Sequence, residues 1–136
     1  MTITINNYIS GEFEQLKEVL VSSGVYYEDT DKEEHIEAKL EHDPNSIIVA
    51  RDEGNIIGTV FTIYDPWNPF IFHLGVKTEY EKKGIGSMLM QEAEKRILER
   101  GCPEMTIFVT EGNEKVHQFY QKRGWRVIYN VACLVK

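Results

Sequence analysis

The sequence predicts a single α/β domain over residues 1–136, with a mixed (α+β-like) central β-sheet flanked by about four helices. Three observations support this prediction. Apolar residues alternate with period two in some segments and recur at helical spacing in others. The two kinds of segment interleave along the chain, which is typical of sheets that are covered by helices. The length of 136 residues and the hydrophobic content of 42% suit one domain with one core.

The first third of the chain predicts a strand and two helices. Residues 2–5 alternate polar and apolar side chains, as a half-buried strand does. Ser10 is a candidate N-cap for a helix whose apolar stripe ends before Gly24. Thr30 and Glu33 have the spacing of a capping box, which predicts that a second helix starts there and ends near Glu41.

The middle of the chain predicts three strands. Residues 47–50 and 56–64 are strand-like, and the turn-forming residues 52–55 between them predict a hairpin. After a proline-containing loop, residues 70–76 are predicted to form a third, central strand.

The last third changes period at Gly84. A helix is predicted from Gly84 to Arg100, followed by a strand over residues 105–110. Asn113 is a favourable cap for a final helix. Residues 125–135 are predicted to supply one or two closing strands.

Charge and composition exclude some classes of function. The net charge of −7 argues against a general nucleic-acid binder, which needs a basic face. No apolar run suits a membrane helix and the start of the chain does not resemble a secretory signal, so we expect a cytoplasmic protein. The two cysteines and four histidines lack the spacing of metal ligands, so we expect no metal.

One segment is strongly acidic. Residues 28–43 contain eight Asp or Glu residues and two lysines. Two interpretations remain open: a solvated helix face, or a negative field that attracts a cationic substrate.

A glycine pair at the start of the predicted long helix is the most informative motif. The chain reads Glu81-Lys82-Lys83-Gly84-Ile85-Gly86 after the central strand. Glycines there let free N–H groups converge at the positive end of the helix dipole, where a phosphate or pyrophosphate binds well. The motif lacks the Lys-Ser/Thr ending of a nucleotide P-loop, and Leu89 replaces the third glycine of a dinucleotide fold. A packing role alone remains an alternative for the glycine pair.

These residues resemble motif A of the GNAT family of N-acetyltransferases, which reads Gln/Arg-x-x-Gly-x-Gly/Ala after a central strand. Further along, Asn113, Tyr120 and Gly124 match the family pattern Asn-x-x-Ala-x-x-x-Tyr-x-x-x-Gly-Phe, with Val116 and Trp125 as substitutions. The predicted order of elements also resembles that fold along nearly the whole chain. One departure is Glu81, which stands where the family has Gln or Arg and would repel a phosphate that it faced.

The resemblance implies an N-acetyltransferase that uses acetyl-CoA as co-substrate and a primary amine as acceptor. Its central strand would splay from the next strand, and the pantetheine arm would lie in the gap. The implied CoA-binding residues are Leu74, Gly75, Val76, Lys82, Lys83, Gly84, Ile85, Gly86, Ser87 and Asn113. Tyr120 is the implied acid for the leaving thiolate.

The general base is open among several candidates. His73 lies on the predicted central strand, and histidine titrates near neutral pH. Asp65, Glu111 and a chain of waters are the alternatives, as is a purely structural role for His73.

Two functions remain open at this stage. The first is acetylation of a primary amine. The acidic segment favours a cationic acceptor such as a polyamine, an aminoglycoside, or a protein lysine or N-terminus. The second is a non-catalytic acyl-CoA-binding or regulatory module with the same fold. A homodimer is expected by analogy alone, and neither nucleic acid nor membrane is expected as a partner.

Overall fold

A computed structural model describes residues 1–136 and contains five strands and four helices. In chain order they are β1 (Ile3–Asn7), α1 (Phe13–Ser22), α2 (Glu33–His42), β2 (Ile47–Asp52), β3 (Asn55–Ile63), β4 (Phe70–Val76), α3 (Ile85–Glu99), β5 (Thr106–Ile107) and α4 (Glu114–Lys122). One 3₁₀ turn, Thr78–Tyr80, connects β4 to the loop before α3. The mixed α/β class predicted from the sequence is confirmed, and so is the predicted order of elements up to α4, but the predicted closing strands after α4 are absent.

The strands form one sheet in the order β1-β2-β3-β4-β5. Neighbouring strands from β1 to β4 are antiparallel, and β5 is parallel to β4. A two-residue turn joins β2 to β3, with Glu53 at φ 51° and Gly54 at φ 87°. Positive φ at both central residues is the hairpin geometry that matches the twist of the strands.

Two apolar clusters cover the two faces of the sheet. On one face, α1 and α2 pack on the sheet through side chains such as Leu16, Leu20 and Ile36. On the other face, α3 packs through Leu89, Ala93 and other residues of its buried stripe. Burial of apolar surface on both faces is the main stabilising term of the fold.

Both predicted helix caps in the first third are wrong, although both helices exist. The Ser10 hydroxyl donates to Glu37, and α1 has Glu12 as its N-cap residue. Neither Thr30 nor Glu33 forms a capping box, because α2 begins after Lys32. A turn precedes it, in which the N–H of Asp31 donates to the Tyr27 carbonyl at 2.8 Å.

The C-terminal strands are also shorter than predicted. Only Thr106–Ile107 pair as β5, whereas a strand was predicted over residues 105–110. Residues 125–136 form no strand. Alternation and β-branched residues favour strands only where an edge is available for pairing. The two-residue β5 provides little edge, and Leu134 and Val135 are more than nine-tenths exposed.

Candidate active site

The loop before α3 presents a row of free backbone donors. None of the N–H groups of residues 82–87 donates to a protein acceptor, whereas the next one, of Met88, donates to the Gly84 carbonyl at 3.1 Å. Lys82 at φ 62° and Gly84 at φ 79° both have left-handed backbone. Alternation of left-handed residues with others turns successive N–H groups toward one concave point, which is a nest for an anion.

The position of this loop adds positive potential. Gly84 is the N-cap of α3 and no side chain caps the helix, so the helix dipole is open to a ligand. Lys82 and Lys83 are exposed, as is Glu81. The Glu81 N–H donates to the Thr78 carbonyl at 3.2 Å, but no hydrogen bond or ion pair fixes the Glu81 side chain, which is free to point away from the donors. The residues present therefore fit a pyrophosphate.

A gap opens between β4 and β5 beside the loop. The two strands pair only at Phe70↔Thr106 and Ile71↔Ile107. From Phe72 to Val76, β4 therefore has a strand partner only on its β3 side. Pairing between the two strands ends at Ile107, as the predicted divergence requires, and Leu74, Gly75 and Val76 lie along the unpaired edge of β4.

Gly75 allows α1 to approach this edge closely. A Cβ atom at Gly75 would overlap the Ser23 Oγ and lie 2.9 Å from the Ser23 Cβ, so the surrounding structure would have to shift. The hydrogen atom of glycine is therefore required by the packing of α1 on β4. This requirement is structural and is independent of the role in CoA binding that the sequence implied.

Aromatic rings line the gap on the α1–α2 face. Phe70 and Phe72 stack at 6.0 Å between centroids, and Phe108 lies 5.8 Å from Phe70 and 6.0 Å from Phe72. Phe108 is 58% exposed. These rings offer an apolar wall to a ligand that enters the gap.

A β-bulge places His73 on that same face. The β3–β4 register shifts between Thr59 and Phe61, and His73 has φ 55°. A left-handed conformation costs a non-glycine residue about 1–2 kcal/mol. The His73 ring lies 5.0 Å from the Phe61 ring and 6.2 Å from the Tyr27 ring, so the strained residue packs against two aromatic rings.

His73 is paired with a carboxylate that the sequence did not single out. Its Nε2 lies 2.9 Å from Asp31 Oδ1 and 2.8 Å from Asp31 Oδ2. Asp31 also accepts a hydrogen bond from the Tyr27 N–H at 2.8 Å. Its place in the sequence identified Asp31 only as one member of the acidic segment. No local signal joins two residues 42 positions apart.

Tyr120 lies on the other side of the sheet, in the cluster that α3 covers. Its ring makes edge contacts with Phe119 at 5.1 Å and Trp125 at 6.2 Å. Burial raises the pKa of Tyr120 to about 12, so the hydroxyl keeps its proton at neutral pH. No hydrogen bond or ring contact joins Tyr120 to His73.

The other sequence candidates have simpler surroundings. Asn113 caps α4 as predicted, since its side chain accepts from the Val116 N–H at 3.3 Å. Asp65 accepts from the Trp67 N–H at 2.7 Å in the loop before β4, at the paired end of that strand. Glu111 is exposed in the loop after β5.

Lys39 is a further residue that the sequence did not single out. Its ammonium donates to the Thr62 carbonyl at 2.6 Å and lies over the Phe61 ring. Burial lowers the pKa of Lys39 to about 8. The Lys39 ammonium and the His73 ring both lie close to the Phe61 ring.

No group of three or more His, Cys, Asp or Glu side chains is arranged to hold a metal ion. None of the helices is both long and apolar enough to cross a lipid bilayer.

Comparison with known proteins places the chain in a family. The family model described as Acetyltransferase (GNAT) family matches residues 13–125. An acetyltransferase of Yersinia pestis (strain Pestoides F) is 39% identical over 92 residues, which is 68% of this chain and 65% of the relative. An acetyltransferase of Sodalis glossinidius is 34% identical over 106 residues, 78% of this chain and 75% of the relative. The match thus spans less than two thirds of the length of the Yersinia protein.

Solved structures share the fold. The PaiA N-acetyltransferase of Thermoplasma acidophilum, in complex with coenzyme A, superposes with a TM-score of 0.81 at 26% identity, covering 93% of this chain and 91% of that one. A transcriptional regulator of Bacillus halodurans C-125 gives a TM-score of 0.83 at 21% identity, covering 99% and 100% of the two chains. Together with the family model and the sequence relatives, these likenesses lead to one conclusion: the chain belongs to the acetyltransferase (GNAT) family.

Proposed function

We propose that the protein is an N-acetyltransferase that moves the acetyl group of acetyl-CoA to a primary amine, and that residues 1–136 form its single catalytic domain. The observation that carries the proposal is the row of free N–H groups at residues 82–87, next to the open edge of β4. A pyrophosphate on those donors lets a pantetheine arm run along Leu74, Gly75 and Val76. Family relatives named as acetyltransferases support the same reaction.

Acetyl transfer requires a base, a donor for the oxyanion and an acid from the protein. A neutral amine must attack, because a protonated amine has no lone pair, so a base near the acceptor takes a proton. The oxyanion that forms needs a donor, and the free edge of β4 near Val76 supplies backbone N–H groups. The leaving thiolate needs a proton, and we assign its donation to Tyr120, which is protonated at neutral pH.

We propose a cationic acceptor. Glu28 and Asp29 are exposed and form no ion pair, and they belong to the same connection between α1 and α2 as Tyr27 and Asp31. Unpaired carboxylates beside the gap attract a cation at low ionic strength. Equal turnover of neutral amines and of polyamines, with no effect of salt, would contradict this part of the proposal.

The first test is a calorimetric titration of the protein with acetyl-CoA, with NAD and ATP as controls. We expect selective binding in the micromolar range, equivalent to about −8 kcal/mol. A panel of primary amines is then screened for release of CoA. A folded protein that does not bind acetyl-CoA would refute the proposal.

The alternative function is a non-catalytic acyl-CoA-binding or regulatory module. Glu81, at a position where the family has Gln or Arg, is the observation in its favour. Selective binding of acetyl-CoA without release of CoA to any amine would support this alternative over the enzyme.

We also propose that the protein is cytoplasmic and forms a homodimer, without nucleic-acid or membrane partners. Cys102 and Cys133 are both free thiols, which suits a reducing compartment. A row of exposed apolar side chains near the C-terminal end supports association, and includes Ile128, Leu134 and Val135. Light scattering after size-exclusion chromatography tests the dimer, and a monomer mass at high micromolar concentration would exclude it.

A further inference from the structure

We propose that Asp31 is a positioning residue that holds His73 as the general base, with Nδ1 of the imidazole free to take the proton of the acceptor amine. The inference rests on the proposed function and deepens it, because it assigns the base that the sequence left open. Three observations carry it: the pairing of the two side chains, the state of the second ring nitrogen, and the backbone at His73.

The pairing has the geometry of an orienting carboxylate. Both Asp31 oxygens lie within 2.9 Å of the His73 Nε2. The side chains of His73 and Asp31 are only 16% and 7% exposed, so water competes weakly for this bond. The Tyr27 N–H also donates to the Asp31 carboxylate, and the imidazole is the only side chain that bonds this carboxylate.

This pairing fixes the tautomer of the imidazole. A carboxylate accepts hydrogen bonds and donates none, so the neutral ring carries its proton on Nε2. The lone pair is then on Nδ1. No protein group forms a hydrogen bond with Nδ1. The buried side-chain atoms without a hydrogen-bond partner are Tyr8 Oη and Arg123 Nε, and Nδ1 is not one of them, so Nδ1 is accessible to solvent. An accessible, unbonded lone pair is what a general base requires.

The backbone places His73 on the part of β4 that borders the gap. His73 is the second residue of β4 beyond the last pair with β5, at Ile71↔Ile107. The bulge and the left-handed φ of 55° turn its ring onto the same face as Phe72 and the aromatic wall. A regular strand would alternate the two side chains and send the His73 ring to the α3 face.

Acetyl transfer moves one proton to His73 and one proton from Tyr120. The amine nitrogen of the acceptor attacks the thioester carbonyl carbon and forms the N–C bond, and the proton it loses moves to His73 Nδ1. The C–S bond breaks and CoA leaves as a thiolate, which receives a proton from the Tyr120 hydroxyl. Solvent takes the proton from His73 and returns one to Tyr120. Asp31 stays ionised throughout and stabilises the imidazolium.

The test uses Asp31→Asn in the full chain. The amide oxygen can keep the bond from the Tyr27 N–H, while the amide NH₂ faces Nε2 and donates to it. The imidazole must then carry its proton on Nδ1, which removes the free lone pair without removing the side chains. Glu41→Gln is the matched control, because it makes the same carboxylate-to-amide change at an exposed position of α2.

Two readouts separate orientation from structure. Nitrogen-15 NMR of the histidine rings in the free protein is expected to show the Nε2–H tautomer of His73 in the wild type and in Glu41→Gln, and the Nδ1–H tautomer in Asp31→Asn. With acetyl-CoA and 1,4-diaminobutane as the first amine probe, kcat is expected to fall about 100-fold in Asp31→Asn. The KM for acetyl-CoA and the melting temperature are expected to stay close to those of the wild type.

Substitution of His73 itself tests its role as the base through the same kcat measurement. We expect His73→Gln to lose kcat to the same extent as Asp31→Asn, and His35→Gln to lose nothing. His35 is the control because it is an exposed histidine of α2 whose Nδ1 meets only the Thr30 carbonyl.

The outcomes distinguish the two levels of the argument. An Nδ1–H tautomer in the wild type, or an Asp31→Asn variant with the kcat of the wild type, would overturn the assignment while leaving the acetyltransferase proposal intact. A wild type that turns over no amine would refute the proposed function and the base with it, although the tautomer result would still report on the pairing.

Discussion

Substitution at Gly84 tests whether the loop before α3 binds acetyl-CoA through its backbone. Gly84 has φ 79°, and a Cβ there would meet no atom within 4 Å. A side chain at position 84 therefore clashes with no other part of the protein, and its cost within the protein comes from the backbone conformation. A left-handed residue other than glycine costs about 1–2 kcal/mol, which corresponds to about a 5- to 30-fold loss of affinity if binding requires this conformation. Asparagine tolerates the conformation better than alanine, and a β-branched residue tolerates it least.

The dissociation constant for acetyl-CoA is therefore expected to increase from the wild type to Gly84→Asn, then to Gly84→Ala, and to be largest for Gly84→Val. Isothermal titration calorimetry measures it, with thermal unfolding as the check on folding. The matched control is Gly86→Ala, because Gly86 lies in α3 without positive φ and a Cβ there would lie 3.6 Å from the Phe119 ring, an ordinary contact. Its affinity is expected to stay within about threefold of the wild type, less than 1 kcal/mol. Unchanged binding by Gly84→Val, or an equal loss in Gly86→Ala, would refute the reasoning.

Three further predictions concern packing, charge and proton donation. Gly75→Ala is expected to lower the free energy of unfolding by about 1–3 kcal/mol through overpacking against Ser23. Adding Ser23→Gly to the same chain should recover most of this loss, as measured by chemical denaturation. Additive effects of the two substitutions would contradict the close approach. The Arg51 guanidinium bonds both Glu12 oxygens at 2.7 Å and lowers the pKa of Glu12. Because the folded-state pKa is lowered, this stabilisation is complete above pH 4.5, the ordinary value, and is lost as pH falls through the folded-state pKa. Arg51→Met should cost about 3 kcal/mol at neutral pH and reduce the acid dependence, and urea midpoints that fall equally with pH in both proteins would exclude the pair as its source. Tyr120→Phe keeps the ring contacts and should lower kcat about 100-fold without raising the KM for acetyl-CoA, and a kcat equal to that of the wild type would remove Tyr120 as the acid.

Periodicity in the sequence predicted the elements that have long, regular apolar patterns. The central strand has the bounds that were expected, residues 70–76, and α3 runs within one residue of its predicted ends. The Asn113 cap was also readable, because it is a local contact within four residues. The signals that succeeded depend on neighbours in the sequence, as helix caps and amphipathic stripes do.

The failures came from long-range partners that compete with local ones. Ser10 had the chemistry of a helix cap, but its hydroxyl donates a hydrogen bond to Glu37 and α1 begins further along the chain. Thr30 had a capping-box partner in Glu33, but the turn that holds Asp31 under His73 delays the start of α2. Residues 125–135 had strand propensity and no edge to pair with. In each case the tertiary environment overrides a local preference.

The His73–Asp31 pair also separates the two functions that the fold permits. A module that only binds acyl-CoA needs the donors of residues 82–87 and the open edge of β4, and neither depends on the strain at His73. The left-handed backbone there costs about 1–2 kcal/mol, and the buried Asp31 carboxylate adds a cost of desolvation. A glycine at position 73 would remove the first cost and an apolar residue at position 31 would remove the second, with no change to the anion nest. Strain that the surrounding structure maintains next to a ligand groove is typical of a reacting site. The pair is therefore the observation that favours catalysis over binding alone, and the tautomer of His73 is the property on which that preference depends.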